Sequence, residues 1–192
     1  MTRAGLDSEA VVSAAEELAD AEGLEALTLA TLAGRLGVRP PSLYAHIEGL
    51  ADLRRRLAAR GARRLATAMQ TAAAGRARGD ALAAVADAYR GYAREHPGSY
   101  AALQRAPDQN DAEASAAGAE AVDVVLAALR GYDLESDDAI HATRIIRAAL
   151  HGFASLEAVG GFGLPLDVDE TFARLTQLLH QGLAAAAPIS PS

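Results

Sequence analysis

The sequence predicts an all-α fold of about nine helices, and three observations support this prediction. The 192 residues are half apolar, very rich in alanine and poor in aromatic side chains, a composition that favours helices over sheets. Apolar residues recur at helical spacing along most of the chain, whereas no segment alternates as a strand does. The chain contains no cysteine, so disulfides and thiolate metal sites are excluded and the core must hold the fold together.

The first three predicted helices are short. Asp7 and Ser8 provide the cap of the first helix, and Thr28 caps the second. Gly37 is placed to close the second helix in the left-handed conformation. The third helix is predicted over residues 40–47, because proline is tolerated in a first turn, where the amide hydrogens have no intrahelical partner.

The later helices are predicted to be longer and joined by short turns. Their predicted starts are Leu50, Asp80, Ser99 or Tyr100, Asp111, Ser136 and Asp167. Asp167 and Glu170 have the spacing of a capping box. The predicted divisions of the chain are an N-terminal lobe over residues 6–49, a larger C-terminal lobe over residues 50–187, and a flexible tail over residues 188–192.

Charge is distributed unevenly, although the formal net charge is −7. All eighteen basic residues are arginine. Residues 34–64 contain eight arginines and two carboxylates, a local charge of +6, whereas residues 67–192 contain nine arginines and sixteen carboxylates. This asymmetry predicts that the N-terminal lobe binds a polyanion and that the remainder binds something else.

Three short helices with a four-residue break after the second are typical of a helix-turn-helix unit. Leu43 and Ile47 are four residues apart, so we expect them to pack onto the first two helices. The other side and the tip of the third helix then face the major groove. The predicted DNA-binding residues are Thr28, Arg35, Arg39, Pro40, Pro41, Ser42, Tyr44, Ala45 and His46. Polar members suit phosphates or base edges, apolar members suit a thymine methyl, and Thr28 starts a helix whose free amides favour phosphate.

The segment "LTLATLAGRLGVRPPSLYAHIEGLADL" resembles the DNA-binding segment of TetR-type bacterial transcriptional repressors. The matching features are the capping Thr28, the "LAGRLGV" helix with its glycine turn, and the run of Ser42, Leu43, Tyr44, His46 and Ile47. The resemblance implies a ligand-responsive repressor that binds a palindromic operator as a homodimer.

Two positions depart from the family pattern. Leu50 replaces a lysine that grips phosphate in many members, and Ala30 replaces a common arginine. Arg35, Arg54 and Arg55 are therefore candidates for the phosphate contacts, and we expect a different operator sequence.

The C-terminal segment "LHGFASLEAVGGFGLPLDVDETFARL" resembles the C-terminal domain of a TetR subgroup named after a Trp-His-Gly run. Leu150 stands at the tryptophan position, and His151 and Gly152 remain. The resemblance implies a ligand cavity and a dimer formed by the last two long helices. The predicted interface residues are Ile145, Ala149, Gly152, Leu156, Phe172, Leu175, Leu179 and Leu183. Independently, Ile146, Leu150 and Phe153 form a second apolar stripe, and a helix that is apolar on two sides needs two neighbours.

The aromatic residues outside the DNA-binding lobe suggest a pocket for a small, moderately hydrophobic ligand. The candidates are Tyr89, Tyr92, Tyr100, Leu103, His151, Phe153 and Phe162. The alternative, that these are ordinary core residues, stays open at this point.

Two other function classes deserve comparison. A small enzyme would use His151 and Ser155, which are four residues apart, but the sequence offers neither a third orienting residue nor oxyanion donors. A helical protein-interaction module would leave Arg39, Tyr44 and His46 unexplained. We predict no metal and no cofactor, since the five histidines are scattered, and we expect a cytoplasmic protein without a membrane span or a leader segment.

Overall fold

The computed structural model describes residues 6–104, 112–134 and 136–186. Within these ranges the chain is all-α, as predicted, with eight α-helices, three short 3₁₀-helices and no strand. None of the helices in the described ranges is long and apolar enough to cross a bilayer. The predicted cap at Asp111 and the predicted tail at residues 188–192 lie outside the described residues.

The helices are numbered in chain order. The α-helices are α1 (Ser8–Glu22), α2 (Leu29–Leu36), α3 (Leu50–Ala73), α4 (Arg78–Glu95), α5 (Pro97–Leu103), α6 (Ala112–Leu129), α7 (Ser136–Ala158) and α8 (Val168–Ala185). The 3₁₀-helices are Leu24–Ala26, Pro40–Ala45 and Arg130–Tyr132. Helix α5 begins at Pro97, earlier than the predicted Ser99 or Tyr100, because proline fits the first turn of a helix.

The predicted N-terminal caps of α1 and α8 are confirmed. The Asp7 side chain accepts a backbone N–H of the first turn of α1 at 2.7 Å. Asp167 accepts two backbone N–H groups of α8, at 2.7 and 3.2 Å. The Glu170 carboxylate, which was predicted to complete a capping box, instead accepts a hydrogen bond from Arg174 Nε at 2.7 Å. The caps thus satisfy amides that have no partner within the helix.

The first compact unit comprises the described residues up to Arg64 together with those from Glu95 to Gly118. Its core includes the fully buried side chains of Val11, Leu27, Leu32, Leu43, Leu53 and Leu57. These side chains come from α1, α2, α3 and the segments between them. Each buried leucine contributes roughly 2 kcal/mol, so the core fixes the helix-turn-helix elements in one arrangement.

Helix α5 is attached to α1 by a polar link and a close backbone contact. The Asp20 carboxylate accepts the Ser99 N–H at 2.8 Å and lies 3.0 Å from His96 Nδ1. Gly98 packs directly on Ala19, where no side chain would fit. The two features hold α5 at a fixed position along α1.

The second compact unit comprises residues from Leu65 to Arg94 and the described residues from Ala119 onward. Its core includes Leu82, Val85, Leu129, Ile146 and Leu150. The two units are defined by contacts within the fold. The assignment of residues 6–49 to a DNA-binding domain and of residues 50–187 to a ligand-binding and dimerisation domain stays a prediction.

A buried arginine links α4, α7 and α8 within the second unit. Arg90 binds the Glu157 carboxylate at 2.9 and 2.5 Å and lies 2.7 Å from Asp169. Its guanidinium carbon lies 4.7 Å from the ring centre of Phe172 and 5.3 Å from that of Phe153. The hydrogen bonds to Glu157 raise the pKa of Arg90 above its ordinary value, and Arg90 in turn lowers the pKa of Glu157. Both groups are therefore charged in the folded protein.

Candidate nucleic-acid interface

Helix α2 and the turn after it have the predicted geometry. Thr28 Oγ1 accepts the Thr31 N–H at 3.1 Å, and Thr31 Oγ1 accepts the Thr28 N–H at 3.0 Å. Gly37 adopts the left-handed conformation, with φ of 67° and ψ of 30°. A reciprocal cap and a left-handed glycine thus fix both ends of the first helix of the helix-turn-helix unit.

The second helix of this unit differs from its prediction. A helix was predicted over residues 40–47, and the structure has a shorter one of the 3₁₀ type over Pro40–Ala45, which we call the recognition segment. Its two prolines have no N–H to donate, so the first hydrogen bond is from the Ser42 N–H to the Arg39 carbonyl at 2.9 Å. The His46 N–H likewise bonds to the carbonyl three residues before it, at 2.9 Å. These short-range bonds define a 3₁₀ conformation.

The recognition segment has a buried side and an exposed side. Leu43 is completely buried and Ile47 is 3% exposed, as their spacing predicts. Tyr44 is 60% exposed, an unusual value for a large aromatic side chain. The remaining exposed residues of this surface are Arg39, Pro40, Pro41, Ser42 and Ala45, and His46 is half-buried. The segment therefore combines a fixed apolar base with an open polar and aromatic face.

The C-terminal end of the recognition segment is held from two helices. The His46 carbonyl accepts hydrogen bonds from Ser8 Oγ at 3.0 Å and from Arg56 Nη1 at 3.4 Å. Asp52 accepts the Glu48 N–H at 3.0 Å and forms an ion pair with Arg56 at 3.0 Å. Sequence reasoning did not identify this network. The sequence contains one signal for it, which is Asp52 in the first turn of α3. A side chain at such a position can accept a hydrogen bond from the backbone N–H just before the helix.

The Asp52 side chain is charged although it is buried. Burial by itself would raise the pKa of Asp52, but the Glu48 N–H and the guanidinium groups of Arg56 and Arg55 outweigh it, so the pKa lies below its ordinary value. The carboxylate therefore stays ionised and connects the turn before α3 to two arginines.

Most arginines of residues 34–64 form ion pairs with carboxylates of the same chain. Seven of the eight have carboxylate partners, namely Glu17 for Arg35, Glu25 for Arg54, Asp52 for Arg55 and Arg56, Glu9 and Glu16 for Arg60, Glu113 for Arg63, and Glu16 for Arg64. The exception within this stretch, which the structure describes in full, is the exposed side chain of Arg39. The local charge of +6 is thus compensated, and Arg35, Arg54 and Arg55 are not available for phosphate without exchange of a partner.

A polar cleft of about 430 Å³ lies between α1 and α3 in the first unit. Its walls include Arg55, Arg56, Arg60 and Arg63 together with Glu9, Asp52 and Glu113. Arg60 pairs with Glu9 of α1 and Arg63 pairs with Glu113 of α6, whereas Arg55 and Arg56 pair with Asp52 of their own helix. The cleft was not predicted, and it is built by the same ion pairs that connect the helices.

Glu16, Asp20 and His96 are the residues whose arrangement resembles a metal site most closely among those described. Their ligand atoms lie within 4.8 Å of one another. However, Glu16 binds Arg60 and Arg64, and Asp20 accepts hydrogen bonds from Ser99. The carboxylates therefore already have protein donors, and the cluster is explained as a link between α1 and α5.

The predicted pocket residues fall into two groups. Tyr100 and Leu103 belong to the first unit, whereas the other five belong to the second. Tyr89, Tyr92 and Phe153 are buried. Phe162 is half-buried, with its ring centre 4.7 Å from that of Phe153. His151 is half-buried, and its Nδ1 lies 3.5 Å from Ser155 Oγ, at the outer limit of a hydrogen bond.

The predicted dimer residues of α7 and α8 range from exposed to buried in the single chain. Ile145 and Leu156 are 60% and 50% exposed, while the second stripe of α7 is buried. Ala149, Gly152, Leu175, Leu179 and Leu183 are half-buried. Phe172 was assigned to the interface wrongly: it is 2% exposed and its ring centre lies 4.9 Å from that of Phe153. Stacking against Arg90 and Phe153 keeps it inside its own chain.

The all-α fold, and a recognition segment that is held in place by buried Leu43 and Ile47, define a helix-turn-helix protein. Residues 82–179 match the family model described as Tetracyclin repressor-like, C-terminal domain. The chain is 39% identical to an uncharacterised HTH-type transcriptional regulator of Mycobacterium tuberculosis, over 94% of this chain and 83% of the relative. It is also 39% identical to an uncharacterised HTH-type transcriptional regulator of Bacillus subtilis, over 94% of both chains. The chain belongs to the TetR family, and it is a DNA-binding transcriptional regulator, not an enzyme.

Solved structures of similar fold cover nearly the whole chain. A protein of unknown function from Rhodococcus sp. RHA1 has a TM-score of 0.80 and 26% identity, covering 95% of this chain and 97% of that one. Mycobacterium smegmatis BioQ has a TM-score of 0.70 and 25% identity, covering 95% and 100%. A TetR variant from Acinetobacter baumannii AYE in complex with minocycline has a TM-score of 0.66, covering 94% and 96%, and at 20% identity it is similar in fold alone.

Proposed function

We propose that this regulator is a homodimeric repressor that binds a palindromic operator and is released by a small-molecule effector. The observation that carries the proposal is the recognition segment, in which buried Leu43 and Ile47 support an exposed, chemically mixed face. Two such segments, one in each protomer, would enter successive major grooves about 34–36 Å apart.

The exposed residues of the recognition segment, together with Arg39 and the half-buried His46 on either side of it, divide by chemistry. Arg39, Ser42, Tyr44 and His46 donate hydrogen bonds to phosphates or base edges, and Pro40, Pro41 and Ala45 offer apolar contact to a thymine methyl. Residues three apart are aligned in a 3₁₀-helix, so Pro41 and Tyr44 form one edge of the face. Thr28, at the N-terminus of α2, binds a phosphate.

Dimerisation uses α7 and α8, with two helices from each protomer. Exposed apolar side chains at Ile145, Leu156, Val159 and Leu178 support this assignment. An exposed apolar stripe on a long helix is costly in water and is relieved by the same stripe of a second copy.

The effector binds the second unit and favours a state in which the two recognition segments do not fit successive grooves. Its site includes Tyr89, Tyr92, His151, Phe153 and Phe162. The minocycline complex of the structural relative supports a small-molecule effector for this fold. A repressor, not an activator, is proposed because the family resemblance implies that direction.

The operator proposal is tested by selection from randomised palindromic duplexes, followed by anisotropy titration of the selected duplex. Arg39→Ala, Tyr44→Phe and His46→Ala each weaken specific binding, by about 5- to 100-fold if one good base contact is lost. Arg76→Ala is the matched control for Arg39→Ala, because Arg76 is also exposed and lies outside the helix-turn-helix unit. Specific binding that survives all three substitutions would contradict the assigned face.

The effector proposal is tested by a thermal-shift screen, because a ligand that binds only the native state raises the unfolding temperature. A compound that raises this temperature and also dissociates the operator complex supports the proposal. A compound set that stabilises the protein while operator affinity stays constant contradicts ligand release.

A further inference from the structure

The N-terminal 64 residues have no excess of positive charge, which is unusual for a segment that binds DNA. Residues 1–64 contain nine arginines and nine carboxylates, so their formal net charge is zero. Binding to DNA of arbitrary sequence is driven mainly by cations that neutralise phosphates. In this protein the carboxylates of α1 and the segment after it cancel that driving force.

The ion pairs that compensate the arginines are of two kinds. Glu16 is 5% exposed and binds two arginines, so it belongs to the folded core. In contrast, Glu17 pairs with Arg35 at 3.1 Å while its side chain is 68% exposed. Glu25 approaches Arg54 at 3.8 Å and is 79% exposed. On the arginine side, Arg35 is 39% exposed, whereas Arg54 is 25% exposed and also donates a hydrogen bond to the Leu24 carbonyl at 3.4 Å. Because both carboxylates are exposed, the pairs contribute little to stability, and a phosphate can replace the carboxylate at small cost to the fold.

Arg35 is close to the proposed phosphate position on α2. Thr28, Thr31 and Arg35 are spaced by three and four residues, and residues at this spacing line one face of a helix. All three are exposed. A guanidinium on this face would bind a further phosphate beside Thr28 if Glu17 did not hold it.

We propose that Glu17 and Glu25 are specificity-determining residues that restrain DNA binding. They keep Arg35 and Arg54 in ion pairs, and they thereby weaken binding to DNA of arbitrary sequence. The preference for the operator over DNA of arbitrary sequence then depends on Arg39 and the recognition segment. This inference rests on the operator binding proposed above.

The test compares full-length Glu17→Gln and Glu25→Gln with wild type on a duplex of scrambled sequence. Each variant binds this duplex more tightly than wild type. The loss of affinity between about 50 and 200 mM salt grows by about 3-fold for each additional phosphate that an arginine neutralises. Affinity for the operator rises less, so the specificity ratio falls. Thermal unfolding of each variant stays close to that of wild type, because both side chains are exposed.

Glu22→Gln is the matched control. Glu22 is exposed on α1 and changes the net charge equally, but its side chain has no ion pair or hydrogen bond within the described part of the chain. If Glu22→Gln and Glu17→Gln raised the affinity for scrambled DNA equally, the proposal would be overturned in favour of a general charge effect. Unchanged binding by Glu17→Gln and Glu25→Gln would also overturn it.

A double-mutant cycle tests the pair itself. Arg35→Gln has a small effect on scrambled DNA in the wild-type background and a larger one in the Glu17→Gln background, since Arg35 contacts phosphate only after release. Additive effects would contradict the ion-pair explanation. Arg39→Ala separates this result from the proposed function: if it weakens operator binding while Glu17→Gln changes nothing, only the restraint is wrong. Absence of DNA binding by wild type would contradict both.

Discussion

Gly98 and Ala19 are in direct contact where α5 crosses α1. A Cβ atom added to Gly98 would lie 2.7 Å from Ala19 Cβ and closer still to the Ala19 carbonyl group. We therefore expect Gly98→Ala to force the helices apart and to destabilise the protein by about 2 kcal/mol or more. Urea denaturation followed by circular dichroism measures this loss.

Gly91→Ala is the control for that substitution. Gly91 is also helical, but an added Cβ would meet no atom within 4 Å. The substitution should stabilise the protein by up to about 1 kcal/mol, because alanine favours helices. If Gly98→Ala were as stable as Gly91→Ala, the close contact between α1 and α5 would be wrong.

Asp52→Asn tests the network that holds the recognition segment. It should destabilise the protein by about 1–3 kcal/mol at neutral pH, and it should weaken operator binding because the His46 end of the segment loses its support through Arg56. The pKa of Asp52 is lower in the folded protein. The contribution of the Asp52 charge to the free energy of unfolding is therefore complete above the pKa of unfolded aspartate, about 3.9. It disappears as the pH falls through the lower pKa of the folded protein.

Denaturant titration from neutral to strongly acidic pH checks this pH dependence. It measures the free energy of unfolding of wild type and of Asp52→Asn. The two curves should converge as the pH falls. Glu48→Gln is the control, because Glu48 contributes its backbone N–H to Asp52 and its exposed side chain is not used. A stability difference that persisted in strong acid would show that charge on Asp52 is not the cause.

Arg90 and Glu157 should behave as a unit in stability measurements. Arg90→Met leaves the Glu157 carboxylate half-buried without its guanidinium, so we expect a loss of about 3 kcal/mol. Arg90→Met combined with Glu157→Met should recover most of that loss, because replacement of both charges removes the desolvation cost. Denaturant unfolding of the two variants provides the comparison. Equal destabilisation in both would mean that the rings of Phe153 and Phe172, and not the ion pair, need Arg90.

The features that the sequence predicted correctly depend on neighbouring residues. Thr28 and Gly37 fix the ends of α2 through their own side chain and backbone conformation. The four-residue spacing of Leu43 and Ile47 predicts their burial, and the periodicity of α7 separates its inner stripe from its outer one. The DNA-contact and dimer assignments at these positions stay predictions.

The features that the sequence did not predict depend on distant partners. Arg35 and Glu17 are 18 positions apart, and Arg60 and Glu9 are 51 positions apart. A local count of charge therefore treated compensated arginines as free. Phe172 has the spacing of an interface residue, and only the folded position of Arg90 explains why it points inward.

The exposed stripe of α7 yields the last prediction. Ile145→Asp and Leu156→Asp each place a charge on a side chain that is 60% or 50% exposed in the single chain, so each protomer should fold normally. In a dimer the same charge would be buried without a partner, and we expect the dimer dissociation constant to rise by about 100-fold. Sedimentation velocity at several concentrations measures this change. Ala158→Asp is the control, since Ala158 is exposed on a different side of α7 and adds the same charge. Dimers that persist in both stripe variants, or a wild-type protein that sediments only as a monomer, would contradict an interface built on α7.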